Sequence, residues 1–235
     1  MRTSLAHRLG RLSAVALRVV VVLATVWLVA AVALGVVSLP ADLDALADDT
    51  LGGTGEAPEM QVGGWQVSNG TGPDGTELNR TALEYRIHAY VNAERAERGL
   101  SNLSFATGLR PVARYHSADM ANRSYFGHVG PAGETLSDRY RRFDYRCLVL
   151  ADGFRVVTGG ENVLMTYYGK RIDTSRGYER YETTDALARG IVSGWMNSTD
   201  HRENLLADYW RREAIGVAID TENGRTEVYA TQNFC

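Results

Sequence analysis

A run of twenty-one residues without a charge, at positions 19–39, constrains this chain more than any other feature. A helix needs about 20 apolar residues to cross the hydrocarbon core of a bilayer, so the run predicts a transmembrane anchor. Basic residues precede the run and acidic residues follow it, which predicts a cytoplasmic segment at 1–18 and export of the remaining chain. The alternative is a secreted product, released by cleavage of a signal peptide at residues 45–47 (ALA), although the apolar region of such peptides usually spans only about 7–15 residues.

The exported part of the chain is acidic. Four of the 25 basic residues lie before residue 40, which leaves 21 basic residues against all 28 acidic ones in the rest of the chain. A protein that binds a phosphate backbone needs a basic face, so we exclude nucleic acid as a partner. Residues 40–79 are rich in Gly, Asp, Glu and Thr and predict a flexible acidic linker. Residues 80–235 then have the size of one extracellular domain with one core.

Sequence periodicity predicts an α+β fold with layered helices and strands. Thr81 and Glu84 have the spacing of a capping box, which predicts a helix that begins at Thr81 and is stopped by Gly99. The Asn-Gly pair within residues 222–225 (ENGR) predicts a hairpin turn, because such turns require a positive φ. The other predicted elements are helices at 109–123 and 184–197, and strands at 160–166, 214–220 and 226–233. Helices before and between a few antiparallel strands are typical of the α+β class.

Export would place the domain in an oxidising compartment. Cys147 and Cys235 are the two cysteines of the chain, and a disulfide between them is the favoured prediction. The alternative is two unpaired buried thiols, because the sequence does not supply the distance between them. N-glycosylation is predicted at sequons that lie in the exported part, namely Asn69, Asn79, Asn102 and Asn122.

Polar residues recur in an ordered series of short motifs. The series comprises 91–92 (VN), Arg95, 99–100 (GL), 116–121 (HSADMA), 125–128 (YFGH), 131–133 (PAG), 138–139 (DR), 160–162 (GEN), 195–198 (WMNS), 201–206 (HRENLL), 216–218 (GVA) and 229–234 (YATQNF). In this order the motifs resemble those of the CAP superfamily, which comprises cysteine-rich secretory proteins, antigen 5 and plant pathogenesis-related proteins and is also called the SCP domain. The resemblance covers about residues 81–235 and is to the short secreted forms of prokaryotes.

This resemblance implies a three-layer α-β-α sandwich with a central cleft lined by two histidines and two acids. Matching the motifs residue by residue assigns His128, Glu161 and His201 to the cleft, and places Ser198 where the second acid is expected. His128, His201 and Glu161 would form a possible Zn²⁺ site with an open water position. His116 lies on the apolar face of its predicted helix, which favours a packed histidine over a metal ligand.

The resemblance permits two functions of different classes, and no catalytic residue is assigned. The first is a membrane-anchored extracellular module that binds a small ligand, a lipid or sterol-like molecule, or a component of the cell envelope, without catalysis. The missing second acid at Ser198 favours this function. The alternative is a Zn²⁺-assisted, peptidase-like hydrolase that uses His128, Glu161 and His201.

Overall fold

The computed structural model describes residues 60–62, 64–67, 69–72, 75–151, 155–174, 177–222 and 225–235. The predicted cytoplasmic segment and the predicted span at 19–39 lie outside this part of the chain. Within it, no helix combines the length and apolar character needed to cross a bilayer. The elements in chain order are β1 (Met60–Val62), β2 (Trp65–Val67), β3 (Gly70–Thr71), β4 (Glu77–Leu78), α1 (Arg80–Ala96), β5 (Ser104–Phe105), α2 (Arg110–Asn122), α3 (Leu136–Arg142), β6 (Val149–Leu150), β7 (Val156–Val157), β8 (Gly160–Tyr168), β9 (Arg171–Thr174), β10 (Gly177–Arg180), α4 (Thr184–Asn197), α5 (Thr199–Leu206), β11 (Arg212–Glu222) and β12 (Arg225–Phe234).

A four-stranded sheet in the order β5-β11-β12-β8 forms the centre of the domain. The strands β11 and β12 are antiparallel, as are β12 and β8, whereas the short β5 runs parallel to β11. In this register Asn233 lies opposite Glu161, and Gln232 lies opposite Asn162. Neighbouring residues of a strand face opposite sides of the sheet, so the Glu161–Asn233 pair and the Asn162–Gln232 pair lie on opposite faces.

Helices cover both faces of the sheet, which confirms the predicted α+β class and the layering. On one face Ile215 and Val217 of β11 join a core cluster that contains Leu83 of α1 and Ile191 and Trp195 of α4. On the other face the alternate residues pack against α2 and α3; Ala218 and Tyr229 belong to one cluster there, and Ala214 to another. The contact between α2 and β11 is close, because a Cβ atom added at Gly216 would lie 2.1 Å from the backbone nitrogen of Arg114.

The start of α1 differs from the predicted capping box. The N-cap residue is Asn79, whose side chain accepts a hydrogen bond from the backbone N–H of Ala82 at 2.9 Å. Glu84 does not reach back to the helix start. Its buried carboxylate accepts hydrogen bonds from Arg114 at 2.7 and 2.6 Å and from the backbone N–H of Val217 at 3.1 Å. The prediction was wrong because the motif reflects only local spacing, whereas the partners of Glu84 lie on distant elements of the fold.

The folded domain begins before residue 80. Within the stretch assigned to the linker, β1 pairs with β2 and β3 pairs with β4. Leu78 is fully buried, and Thr226 donates a hydrogen bond to the carbonyl of Thr71 at 2.7 Å. A Cβ atom at Gly70 would lie 2.1 Å from the side chain of Ile219, so this segment packs directly on β11. The other predicted helices and strands agree with the structure to within a few residues, and the turn residues Asn223 and Gly224 lie outside the described part.

The predicted disulfide between Cys147 and Cys235 is confirmed, with the two Cα atoms 5.5 Å apart. Both cysteines are buried in a cluster with Leu109 and Tyr140. The bond joins Cys147, two residues before β6, to Cys235, the residue that follows β12. The small β6–β7 hairpin is therefore covalently attached to the central sheet.

Three of the four predicted glycosylation asparagines take part in local hydrogen bonds. Asn69 accepts from the backbone N–H of Arg80 at 3.0 Å, Asn79 caps α1, and Asn122 donates to the carbonyl of Ala118 at 2.8 Å. Asn102 is exposed. Glycosylation of these positions stays a prediction.

Candidate functional site

The carboxylate of Glu161 lies at the centre of a buried polar cluster. Glu161 is the second residue of β8, and the N–H groups of Arg139 donate to both of its oxygens at 3.0 and 2.9 Å. Asn233, its cross-strand partner, donates to Oε2 at 3.0 Å, and Nδ1 of His128 lies 3.0 Å from Oε1. Burial alone would raise the pKa of Glu161, but the hydrogen bond from His128 and the charge of Arg139 outweigh it and hold the pKa below its usual value. Glu161 is therefore ionised, and both of its oxygens accept hydrogen bonds.

Arg139 fixes the loop that carries His128. It lies in α3, which begins with a reciprocal capping box between Thr135 and Asp138. Besides Glu161, its guanidinium donates to the carbonyl of His128 at 3.0 Å and to that of Glu134 at 3.2 Å. The side chain is completely buried, so one residue neutralises the acid and positions the histidine.

The half-exposed ring of His128 has one nitrogen that is not used in the contact with Glu161. Because a carboxylate only accepts hydrogen bonds, the short contact with Glu161 assigns the proton to Nδ1 of His128. In the neutral form of the ring the other nitrogen, Nε2, is an acceptor. The ring of His201 lies beside it, with 6.2 Å between the two ring centroids. Partial burial, and to a smaller extent His128, lowers the pKa of His201, so His201 is neutral at neutral pH.

His201 is held from the opposite face of the sheet. Asn162 donates to the carbonyl of His201 at 3.0 Å, while Asn204 of α5 donates to the carbonyl of Glu161 at 3.3 Å and to the side chain of Asn162 at 3.1 Å. These bonds attach α5 to the strand that carries Glu161. The neighbouring residues Glu161 and Asn162 thus position one histidine each, on the two sides of one strand.

A further chain of buried groups continues from Asn162 across the sheet. Asn162 donates to Oε1 of Gln232 at 3.0 Å, and Gln232 donates in turn to the fully buried carboxylate of Glu213. The other oxygen of Glu213 lies 2.6 Å from Nδ1 of His88 in α1. Since Glu213 only accepts, it determines which way the amides of Gln232 and Asn162 point.

His116 approaches the cluster from α2. Its ring is fully buried, with Nε2 at 3.6 Å from Oε1 of Glu161 and Nδ1 at 3.5 Å from the hydroxyl of Tyr125. Burial lowers the pKa of His116 to about 4, although the carboxylate of Glu161 acts in the opposite direction. His116 is therefore a neutral, packed side chain at neutral pH, as its place on the apolar helix face predicts.

The three residues predicted to hold Zn²⁺ do not fit a three-ligand site. Both oxygens of Glu161 are occupied by Arg139, Asn233 and His128, so neither is free to coordinate a cation. In the part of the chain that the structure describes, no three or more His, Cys, Asp or Glu side chains are grouped to hold a metal ion. Ser198, at the expected position of the second acid, lies at the junction of α4 and α5, where its backbone donates to the carbonyl of Trp195.

The comparison with known families decides the classification. Residues 88–234 match the model of the cysteine-rich secretory protein family, abbreviated CAP. The chain belongs to this family.

Two proteins of Bacillus subtilis (strain 168) are similar to this CAP protein. The uncharacterized protein YkwD is 28% identical over 136 residues, which cover 58% of this chain and 42% of YkwD. The uncharacterized membrane protein YlbC is 30% identical over 158 residues, which cover 66% of this chain and 35% of YlbC. The CAP protein thus matches less than half the length of either relative.

Bacterial structures with similar domains also exist. An extracellular protein containing an SCP domain from Bacillus anthracis is 25% identical with a TM-score of 0.45, over 66% of this chain and 40% of that one. A cysteine-rich secretory protein from Staphylococcus aureus is 16% identical with a TM-score of 0.42, over 68% of this chain and 41% of that one.

The structure brings His128, Glu161 and His201 together, and it adds residues whose role the sequence did not reveal. Arg139 and Asn233 are part of the quoted motifs, but nothing in their spacing identifies Glu161 as their common partner. Gln232 also lies within a motif, whereas Glu213 lies outside all of them. Glu213 is the second residue of β11, and an acid at the start of an apolar strand carries no sequence signal for burial.

Proposed function

We propose that this CAP protein is a membrane-tethered extracellular module whose cleft binds a small ligand of the cell envelope, with an apolar body and a hydroxyl group. The observation that carries the proposal is the orientation of His128. Its Nδ1 is held by Glu161, which leaves Nε2 of the neutral ring as an acceptor beside His201. A ligand hydroxyl that donates to Nε2 would satisfy this acceptor.

Two exposed apolar side chains on the same loop support an apolar body for the ligand. Phe126 is 55% exposed and Val129 is 54% exposed, and they flank His128 in the chain. Exposed large apolar side chains beside a few oriented polar groups are typical of sites for lipids and similar small molecules. The charge of Glu161 is already balanced by Arg139, so the site offers no free carboxylate to a cationic ligand.

The extracellular, membrane-tethered location rests on the sequence. The uncharged run at 19–39 and the basic residues before it support an anchor with the domain outside the cell. A disulfide is consistent with an oxidising compartment. The similar protein YlbC is named a membrane protein, and the similar structure from Bacillus anthracis is titled an extracellular protein. Secretion after cleavage is the alternative, and the N-terminal sequence of the mature protein separates the two.

A photo-crosslinking experiment tests the ligand class. The full chain in mild detergent is irradiated with a long-chain alcohol that carries a diazirine, and the labelled peptides are mapped by mass spectrometry. We expect labelling of the 125–130 peptide, reduced by Phe126→Ala and by His128→Ala. Tyr178→Ala, at an exposed aromatic residue on the β9–β10 hairpin, serves as the matched control and should leave labelling unchanged. Equal labelling in all variants would contradict the proposal.

The zinc-assisted hydrolase remains the second candidate because a carboxylate-oriented histidine is also a typical metal ligand. Calorimetric titration of the full chain with Zn²⁺ distinguishes the two. Binding at micromolar Zn²⁺ that is lost in His201→Ala would favour the hydrolase. We expect no such binding, because both oxygens of Glu161 already accept hydrogen bonds from Arg139, Asn233 and His128.

A further inference from the structure

The β6–β7 hairpin has one face in the core and one apolar face in solvent. Val149 pairs with Val157, and Leu150 pairs with Val156. Val149 and Val157 pack against the core cluster. The side chains that alternate with them point away from the core, so Leu148 is 76% exposed, Leu150 is 62% exposed and Val156 is 58% exposed.

The outer face is apolar, and two exposed basic residues lie close to it in the chain. Leu148 lies just before β6, two residues from Leu150, and Val156 lies opposite Leu150, so the three form one continuous patch. Arg146 and Arg155 flank the patch in the chain, and both are exposed. Neither arginine has an ion-pair partner among the residues that the structure describes. Aliphatic side chains beside exposed arginines are typical of segments that lie in the interface of an anionic membrane.

We propose that the outer face of the β6–β7 hairpin, formed by Leu148, Leu150 and Val156, docks onto a lipid bilayer with anionic headgroups. The chain outside the described structure supports this occupant. Twenty residues, 40–59, separate the uncharged run from β1. A chain of that length spans at most about 70 Å when fully extended, so an anchor at 19–39 would keep the domain within reach of the membrane.

A second copy of the chain is a poorer occupant. Two such faces placed against each other would bring exposed arginines of both copies close together, and like charges at an interface oppose association. A bilayer with anionic headgroups supplies the opposite charge instead. The disulfide at Cys147 and the core contacts of Val149 and Val157 hold the hairpin in place, so docking does not require it to refold.

Docking would also set the orientation of the cleft. The hairpin ends at Val157, and β8 begins at Gly160 with Glu161 next to it. The residues that position His128 therefore follow the docked strand closely in the chain. The inference does not depend on the ligand proposed for the cleft, because crosslinking at the cleft and docking of the hairpin are measured separately.

Fluorescence quenching in vesicles tests the proposal on the full chain. An environment-sensitive fluorescent amino acid replaces Leu148, or replaces Tyr178 as a control at another exposed hairpin residue. The labelled chain is reconstituted in vesicles of phosphatidylcholine alone or with phosphatidylglycerol. Quenching by nitroxide-labelled lipid reports contact with the membrane, and quenching by iodide reports contact with water.

We expect lipid quenching at position 148 that is stronger with phosphatidylglycerol and is reduced by the double substitution Arg146→Glu, Arg155→Glu. The probe at 178 should be quenched by iodide only. Iodide quenching at 148 that equals that at 178 would overturn the proposal. Protection of the probe at 148 from both quenchers would also overturn it, because the face would then be covered by protein.

Discussion

Removal of the disulfide should destabilise the domain by several kcal/mol without altering the cleft. The bond joins residues that are 88 positions apart, and a crosslink that closes a loop of this length restricts the unfolded chain by about 4.6 kcal/mol at 25 °C. Small domains unfold with a total of about 5–15 kcal/mol, so the expected loss is a large share of the stability. Both cysteines are buried, so Cys147→Ala together with Cys235→Ala keeps an apolar environment while removing the crosslink.

Urea denaturation of the full chain in detergent, followed by tryptophan fluorescence, measures this loss. Trp195 and Trp210 are almost completely buried and report unfolding of the domain. We expect the free energy of unfolding to fall by about 3–5 kcal/mol, and the m-value to rise because the unfolded chain without a crosslink exposes more surface. The wild type in reducing agent should behave like the double variant. A loss below about 1 kcal/mol with an unchanged m-value would refute the reasoning.

Three further predictions concern the buried polar groups, each measured by urea denaturation. Arg139→Met should cost about 3–5 kcal/mol because it leaves Glu161 buried without its counter-charge, whereas Arg189→Met, at an exposed ion pair, should leave the free energy of unfolding nearly unchanged. The wild type should lose about 3 kcal/mol as the pH falls from about 6.5 to about 4, because the unfolded state binds a proton at His116 before the folded state does. His116→Gln should reduce this dependence to the smaller slope expected from His201, whose pKa is also lowered, and an undiminished slope would assign the loss to another group. Glu213→Gln should cost about 1–3 kcal/mol because an amide oxygen accepts in place of only one of the two buried carboxylate contacts, and no loss would contradict the assigned amide directions.

The periodicity of apolar residues correctly predicted helices that bury one apolar face against the sheet. The helix α4 has Leu187, Ile191 and Trp195 at intervals of four residues, and all three are fully buried against the sheet. The start of α1 was misassigned because Thr81 and Glu84 have the spacing of a capping box. In the structure Glu84 pairs with the distant Arg114 instead of capping the helix, and local spacing does not reveal this partner.

The site could be predicted only through family resemblance, and then only in part. Glu161 and Arg139 are 22 residues apart on different elements, and the register of β8 against β12 decides that Asn233 joins them. Spacing along the chain does not encode such contacts. Burial also changes the chemistry that residue type suggests. A glutamate between two histidines resembles a metal ligand in sequence, yet its hydrogen bonds leave it no free lone pair for a cation.

The adjacency of Glu161 and Asn162 limits how related chains can vary. Because one residue faces α3 and the next faces α5, inserting or deleting a single residue in this part of β8 would exchange the acid and the amide between the two layers. The arginine would then meet a carboxamide, and the carbonyl of His201 would meet a carboxylate. In related chains, insertions and deletions at this end of β8 are therefore expected only before Gly160, where the chain does not pair with β12. They should be absent from residues 161–163.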